Sequence, residues 1–142
     1  IPIAKKLGAK KLHFISLVIG GLGLLSMPFL NDVDVLFTIP FGSGIEVSQI
    51  YLFSFGLGIT WASMIAMPYQ ILASSIPNGK TGIYMGIFNI FIVVPMIIQI
   101  FSVQYIVYDL LGQNPINIIR LAGSFLIIGG IFSLFVSQPK TD

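Results

Sequence analysis

The sequence predicts an all-α membrane protein with four transmembrane helices. Its 142 residues are 56% hydrophobic and only 8% charged, whereas a typical globular domain has roughly 25% charged residues. A soluble protein of this composition would lack the polar side chains that cover a water-facing surface. The few charged residues are also spaced so that they leave four long uncharged stretches, and these stretches locate the helices.

A membrane-spanning helix needs ~20 consecutive residues that are largely free of charge. Uncharged stretches of 20, 33, 28 and 19 residues lie between Lys11 and Asp32, Glu46 and Lys80, Lys80 and Asp109, and Arg120 and Lys140. Backbone groups in lipid must be hydrogen-bonded within their own segment, so each stretch is predicted to be a helix. The sequence shows no run of short alternating strands.

The elements follow from these stretches in chain order. A basic connector at 1–11 precedes spans at about 13–30, 49–76, 82–111 and 118–136. Span one is rich in small residues, and the loop after it has an apolar centre at 35–41. That centre is too short to cross the bilayer and is expected to be an interfacial segment at most. A Pro-Asn-Gly turn joins spans two and three.

The distribution of basic residues predicts the topology. Six of the seven basic residues would fall on one side of the membrane, namely Lys5, Lys6, Lys10, Lys11, Lys80 and Lys140. The positive-inside rule assigns that side to the cytoplasm. We therefore expect both chain ends in the cytoplasm, in a bacterial inner (plasma) membrane. The chain begins with isoleucine, and we expect it to be a piece of a longer protein.

Span two carries a stripe of small and polar residues. The stripe follows steps of three and four residues, which places it on one side of a helix, and it consists of Gly56, Thr60, Ser63, Met67, Gln70 and Ser74. Small and hydroxylated residues let membrane helices approach closely, so packing is one interpretation. The other is a wall of an aqueous cavity in which Thr60 and Gln70 hydrogen-bond a solute.

Two aromatic residues of span two are further candidates for a solute pathway. Tryptophan usually anchors at the membrane surface, but Trp61 lies near the middle of its span. Such an indole either packs on a neighbouring helix or stacks on the apolar face of a ligand such as a sugar ring. Tyr69 is the second candidate.

Prolines and polar residues inside the apolar runs add to this pattern. Pro68 and Pro95 each remove a helix hydrogen bond, and they predict either a structural kink or a hinge of the kind found in transporters. Asn89 needs a partner, which is either another helix or a substrate. Gly82 and Gly86 form a G-x-x-x-G pair suited to helix packing.

The remaining polar residues predict little chemistry. Asp109 and Arg120 are interpreted as a surface ion pair at the outer ends of spans three and four or as independent snorkelling residues, with a gating pair as the alternative. His13 is expected at the inner membrane surface as an interfacial residue, with a proton carrier as the alternative. No carboxylate lies in the middle of a span, so an acid that relays protons is expected outside this piece. The sequence contains no phosphate-binding loop, paired zinc histidines or nucleophile elbow. We therefore expect no enzyme activity, no cofactor, no metal and no nucleic-acid partner.

Two motifs carry a resemblance to a known family. "MPYQ" lies at 67–70 in the last part of span two, and "GIYMGIFN" opens span three and runs on to "VP". In this order and spacing the sequence resembles the major facilitator superfamily, in particular the sucrose and maltose cation symporters of its glycoside–pentoside–hexuronide group. The matching residues are Met67, Pro68, Tyr69, Gly82, Met85, Gly86, Asn89 and Pro95, with "NPIN" at 114–117 similar to the family's outer turn.

The resemblance implies a function and a place for each span. The four spans would correspond to the last four helices of a twelve-helix carrier that transports a sugar, such as a disaccharide, by proton symport with alternating access. Spans two and three would line the cavity and the other two would pack outside. The partners would be the sugar, the coupling ion, the bilayer and the remainder of the transporter. The alternative is a self-contained four-helix scaffold or accessory subunit without transport activity.

Overall fold

Four helices form the protein, as a computed structural model describes it for residues 7–77 and 79–137. Each is long and apolar enough to cross a membrane, and they run Ala9–Phe29, Gln49–Ala73, Thr81–Leu110 and Pro115–Leu134. The prediction of four such helices is therefore confirmed, and it supports a membrane protein. Residues 1–6 of the predicted connector at 1–11, and Lys140, lie outside the described residues.

The helices alternate in direction. Their regular α-helical parts are α1 (Ala9–Ser26), α2 (Leu52–Ala73), α3 (Thr81–Ser102), α4 (Tyr108–Leu110) and α5 (Pro115–Leu134). Short 3₁₀ segments extend α1 at Met27–Phe29 and precede α2 at Gln49–Tyr51, and a π-helical turn at Val103–Val107 joins α3 to α4. The end of the molecule that carries Lys10, Lys11 and Lys80 is called the basic end below, and the end that carries Asp32, Asp34, Glu46 and Asp109 is called the acidic end.

Helix α1 packs against α2 along a seam of small residues. Thr60 donates a hydrogen bond from Oγ1 to the backbone carbonyl of Ser16 over 2.6 Å. A Cβ on Gly20 would overlap the Thr60 side chain, and a Cβ on Gly56 would lie 3.1 Å from the Ile19 carbonyl oxygen. Because these positions lack bulk, the two backbones approach closely.

A second close seam joins α1 to α5. A Cβ on Gly123 would lie 2.8 Å from the Gly21 carbonyl oxygen, and a Cβ on Gly21 would lie 2.7 Å from the Gly123 carbonyl oxygen. Nearer the basic end, a Cβ on Gly130 would lie 3.3 Å from Cβ of Leu17. At that end, Lys10 also donates from Nζ to the carbonyl of Val136 over 2.8 Å. Helix α1 is therefore held on two sides and forms the centre of the molecule.

Helix α3 is the least covered of the four long helices. None of its residues is buried, whereas α1, α2 and α5 each contain buried residues. It is nevertheless the most apolar of the four, with a mean hydropathy of 2.3 in its best window. Such a surface needs lipid or another protein helix as its neighbour.

The loop between α1 and α2 is a β-hairpin, which corrects the prediction of a molecule without strands. Strand β1 (Val35–Ile39) pairs antiparallel with β2 (Ile45–Ser48), and the turn between them has two glycines with positive φ, Gly42 and Gly44. The strands are rich in β-branched and aromatic residues, which favour extended structure. At four and five residues they are shorter than the helical spans that the charge spacing detects.

Helix α5 begins at a well-defined cap. The Asn114 side chain accepts a hydrogen bond from the Ile116 backbone N–H over 2.9 Å, and Pro115 occupies the first turn, where its missing N–H costs nothing. Asn117 donates from Nδ2 to the Leu111 carbonyl over 2.9 Å. The turn between α4 and α5 is therefore closed by its own asparagines.

Candidate functional site

Two of the predicted pathway residues meet where α2 faces α3. Tyr69 donates its phenolic O–H to Oδ1 of Asn89, with 2.6 Å between the oxygens. Beside this bond the Tyr69 ring contacts the Phe88 ring edge-to-face, with centroids 5.1 Å apart and planes at 77°. The sequence predicted both Tyr69 and Asn89 as pathway residues but did not predict that they pair.

The Tyr69–Asn89 pair retains unused hydrogen-bonding capacity. Asn89 is exposed, and its Nδ2 carries two N–H donors that have no protein partner among the described residues. The Tyr69 hydroxyl oxygen can also accept a bond while it donates its own proton. Asn89 lies eight residues into α3, which is ~12 Å from the start of the helix at 1.5 Å per residue. This depth is within the predicted span.

Thr60 occupies a different environment. It is 3% exposed, and its hydroxyl already bonds the Ser16 carbonyl in the α1–α2 seam. Gly56, Ser63 and Met67 of the same predicted stripe are also buried. For these four residues the structure has the helix-packing arrangement, which was one of the two interpretations. The position of Thr60 gives no support to a pathway role, which stays a prediction.

Trp61 and Gln70 lie apart from the Tyr69–Asn89 pair. Trp61 is 67% exposed and, with Thr60, Met64 and Leu126, borders a shallow cavity of about 380 Å³. Gln70 is exposed next to Tyr69 but points about 100° away from it around the helix. The structure therefore brings together two of the five predicted pathway residues and leaves the roles of Trp61 and Gln70 as predictions.

Both prolines lie inside continuous helices. Pro68 is within α2 and Pro95 is within α3. Each lacks an N–H, so the carbonyls of Met64 and Phe91, four residues earlier, lose their usual helix partner. Pro68 directly precedes Tyr69 and borders two cavities described below. The hinge role of Pro68 and Pro95 stays a prediction.

The contacts of the predicted glycine pair and of the predicted ion pair do not indicate a role for either. A Cβ on Gly82 or Gly86 would meet nothing within 4 Å, so this surface of α3 is open in the described part of the chain. The Asp109 carboxylate accepts from Nε2 of Gln113 over 3.0 Å, and Arg120 donates to Oδ1 of Asn117 over 3.4 Å. Asp109 and Arg120 thus each have a different neighbour, and the ion pair stays a prediction.

His13 is buried against α2, which the sequence did not predict. It is 8% exposed and its Nδ1 lies 2.9 Å from Oγ of Ser63 on α2, while its expected position at the inner membrane surface stays a prediction. A signal for this was present in the sequence, because two stripes share the spacing three, four, three. These stripes are His13, Ser16, Gly20 and Gly23 on α1, and Phe53, Gly56, Thr60 and Ser63 on α2. Antiparallel helices with matching stripes can pair residue by residue.

Among the described residues, no three His, Cys, Asp or Glu side chains come close enough to hold a metal ion. Comparison of the chain with known protein families, with characterised proteins and with solved structures gives no match. The major facilitator resemblance therefore stays a prediction, and the functional argument depends on the geometry of the chain itself.

Proposed function

We propose that this chain is part of a secondary transporter that carries a sugar by proton symport, with α2 and α3 forming one wall of the solute pathway. The observation that carries this proposal is the Tyr69–Asn89 pair. An exposed amide within an apolar span is costly in lipid, since transfer of an unpaired amide to an apolar medium costs roughly 2–7 kcal/mol. Polar side chains at such a depth generally face a cavity or another protein group.

The free groups of the pair suit a polyhydroxylated solute. Nδ2 of Asn89 offers two donors and the Tyr69 oxygen offers an acceptor. Neighbouring sugar hydroxyls each donate and accept, so a hydroxyl pair can bond both residues at once. The Tyr69 and Phe88 rings supply apolar surface beside these groups, and the apolar face of a sugar ring can pack on such a surface. Charged residues are absent from this contact, which fits a neutral solute.

Uptake measurements on an Asn89→Ala variant test the proposal. In the natural full-length protein, reconstituted in vesicles with [¹⁴C]sucrose or [¹⁴C]maltose outside, we expect uptake to fall at least tenfold, which corresponds to ~1.4 kcal/mol of lost binding. Gln99→Ala is the matched control, because Gln99 is also an exposed amide on α3 but lies ten residues nearer the acidic end. The control variant is expected to transport normally.

Normal uptake by Asn89→Ala at normal protein levels would remove Asn89 from the pathway. Equal loss in both variants would mean that any exposed amide on α3 is needed for folding, which also contradicts the proposal. Absence of uptake in the unchanged protein for both sugars would contradict the sugar assignment itself.

One observation favours the alternative of a scaffold or accessory subunit. Helix α3 has no buried residue, and its Gly82–Gly86 surface is open, as expected of a helix that docks on a partner in the membrane. The DNA sequence around the reading frame separates the two hypotheses. Eight further spans upstream favour the transporter, whereas a start codon directly before Ile1 favours the accessory subunit.

A further inference from the structure

The only histidine of the chain is buried between membrane-spanning helices. His13 lies about one turn into α1, and its Nδ1 contacts Oγ of Ser63 on α2 over 2.9 Å. Ionisable residues inside a span are costly and commonly mark ion or proton pathways. The proposed contact between Tyr69, Asn89 and a sugar makes no use of this residue.

The second ring nitrogen of His13 faces open space. Nε2 has no hydrogen-bond partner among the described residues. In that part of the chain, every side-chain nitrogen or oxygen that is fully buried does have a partner, so Nε2 is not fully buried and retains some accessible surface. Two cavities, of about 320 Å³ and 370 Å³, both have His13, Pro68 and Phe88 in their walls.

The two cavities extend from His13 in different directions. The first, called the serine-lined cavity below, extends toward the basic end past Ser75, Ser133 and Ser137. The second extends toward the middle of the helices past Met64 and Phe125. Both are lined mostly by apolar atoms, and His13 lies between them.

No carboxylate among the described residues is near His13. Helix α2 presents Ser63, α3 presents Phe88, α5 presents Ser133, and α1 presents Lys10, whose ammonium group bonds the Val136 carbonyl. The acidic residues Asp32, Asp34, Glu46 and Asp109 lie at the acidic end. A proton on the ring would therefore be stabilised by Ser63 and by water in the serine-lined cavity, without a counter-ion.

We propose that His13 is a proton-binding residue of the transporter. Nε2 accepts a proton from hydronium in one of the two cavities, so that an N–H bond forms while an O–H bond of hydronium breaks, and it releases the proton to water in the other cavity. Ser63 orients the ring through Nδ1. Pro68 borders both cavities, so a rearrangement of α2 and α3 around it changes which cavity reaches Nε2, and this couples the proton to that rearrangement. This inference rests on the proposed function and adds to it the group that carries the proton.

The titration of His13 can be observed directly. In the full-length protein, labelled with [¹⁵N]histidine and held in lipid nanodiscs, the signals of the His13 ring are those that are missing from a His13→Gln sample. Lowering the pH from about 8 to about 5 is expected to convert the ring from the neutral to the doubly protonated pattern. In Ser63→Ala the neutral ring is expected to show a mixture of tautomers. A ring that stays neutral throughout would overturn the proposal.

A transport measurement separates the proton step from sugar binding. In the full-length protein, His13→Gln is expected to lose accumulation of [¹⁴C]sucrose or [¹⁴C]maltose against a gradient while retaining exchange of internal for external sugar, which needs no net proton movement. Lys11→Gln is the control, since it removes an exposed charge that lies only two residues from His13 in α1. Uphill accumulation by His13→Gln at the level of the unchanged protein would overturn the proposal.

A misfolded variant is recognised by the loss of exchange together with accumulation. In that case Ser63→Ala, which keeps the histidine, decides the matter: accumulation with a changed pH dependence supports the proposal, and an unchanged pH profile contradicts it. If the unchanged protein neither accumulates nor exchanges either sugar, the proposed function fails, and the titration alone decides whether His13 binds a proton.

Discussion

The α1–α2 seam and the α2–α3 contact use the two sides of one helix in different ways. Toward α1, helix α2 presents Gly56, Thr60 and Ser63, which are buried and bonded across the interface. Toward α3 it presents Tyr69, which is partly exposed and bonds an exposed amide. The difference indicates that small polar residues hold this fold together, whereas larger polar residues with unused donors remain available to a ligand.

The largest loss of stability is expected at the close backbone contact between α1 and α5. Gly123→Leu should prevent the close approach of α5 to α1, because its Cβ would lie 2.8 Å from the Gly21 carbonyl oxygen. Overpacking costs about 1–3 kcal/mol, and contact with backbone places this site at the upper end. Gly82→Leu on the open surface of α3 is the control and should leave the midpoint of thermal unfolding in detergent unchanged. Equal stability of both variants would contradict the contrast between the two regions.

A smaller effect is expected for Thr60→Val, which preserves shape but removes the hydrogen bond to Ser16. Hydrogen bonds between membrane helices contribute about 0.6 kcal/mol on average and up to about 1.7 kcal/mol, so a modest loss of unfolding free energy should accompany normal sugar uptake. The measurement pairs chemical unfolding with transport. Loss of sugar uptake without loss of stability would show that Thr60 acts in the solute pathway and not only in helix packing.

The smallest effect on stability is expected for Tyr69→Phe. The ring contact with Phe88 is retained and only the O–H bond to Asn89 is lost, so the unfolding free energy should change by no more than about 0.6 kcal/mol. Sugar affinity should nevertheless fall, because the hydroxyl and the oriented amide are both lost to the solute. A large drop in stability with unchanged sugar affinity would show that the Tyr69–Asn89 bond stabilises the fold and does not bind the solute.

The helices could be predicted from the sequence because the bilayer imposes one simple requirement, an uncharged length. The hairpin could not be found in that way, since Val35–Ile39 and Ile45–Ser48 lie in a charged loop and are too short to span. Their β-branched residues and the glycine turn were the available signal.

The partners of the polar residues were harder to predict than the residues themselves. The stripe on α2 was visible, but spacing along one helix does not say which neighbour covers it. His13 shows this most clearly, because a histidine near lysines resembles a surface residue until α2 is placed against it. The matching stripe on α1 contained the missing information, and comparing stripes between helices would have supplied it.

The close fit along α1 limits how the molecule can move. The contacts along the α1–α2 seam run from His13 and Ser63 to Gly23 and Phe53, and they depend on a glycine at position 20 opposite Thr60. Helix α3 instead meets α2 through the side chains of Tyr69, Phe88 and Asn89. A change of shape that preserved both close seams of α1 would therefore displace α3 relative to the other three helices.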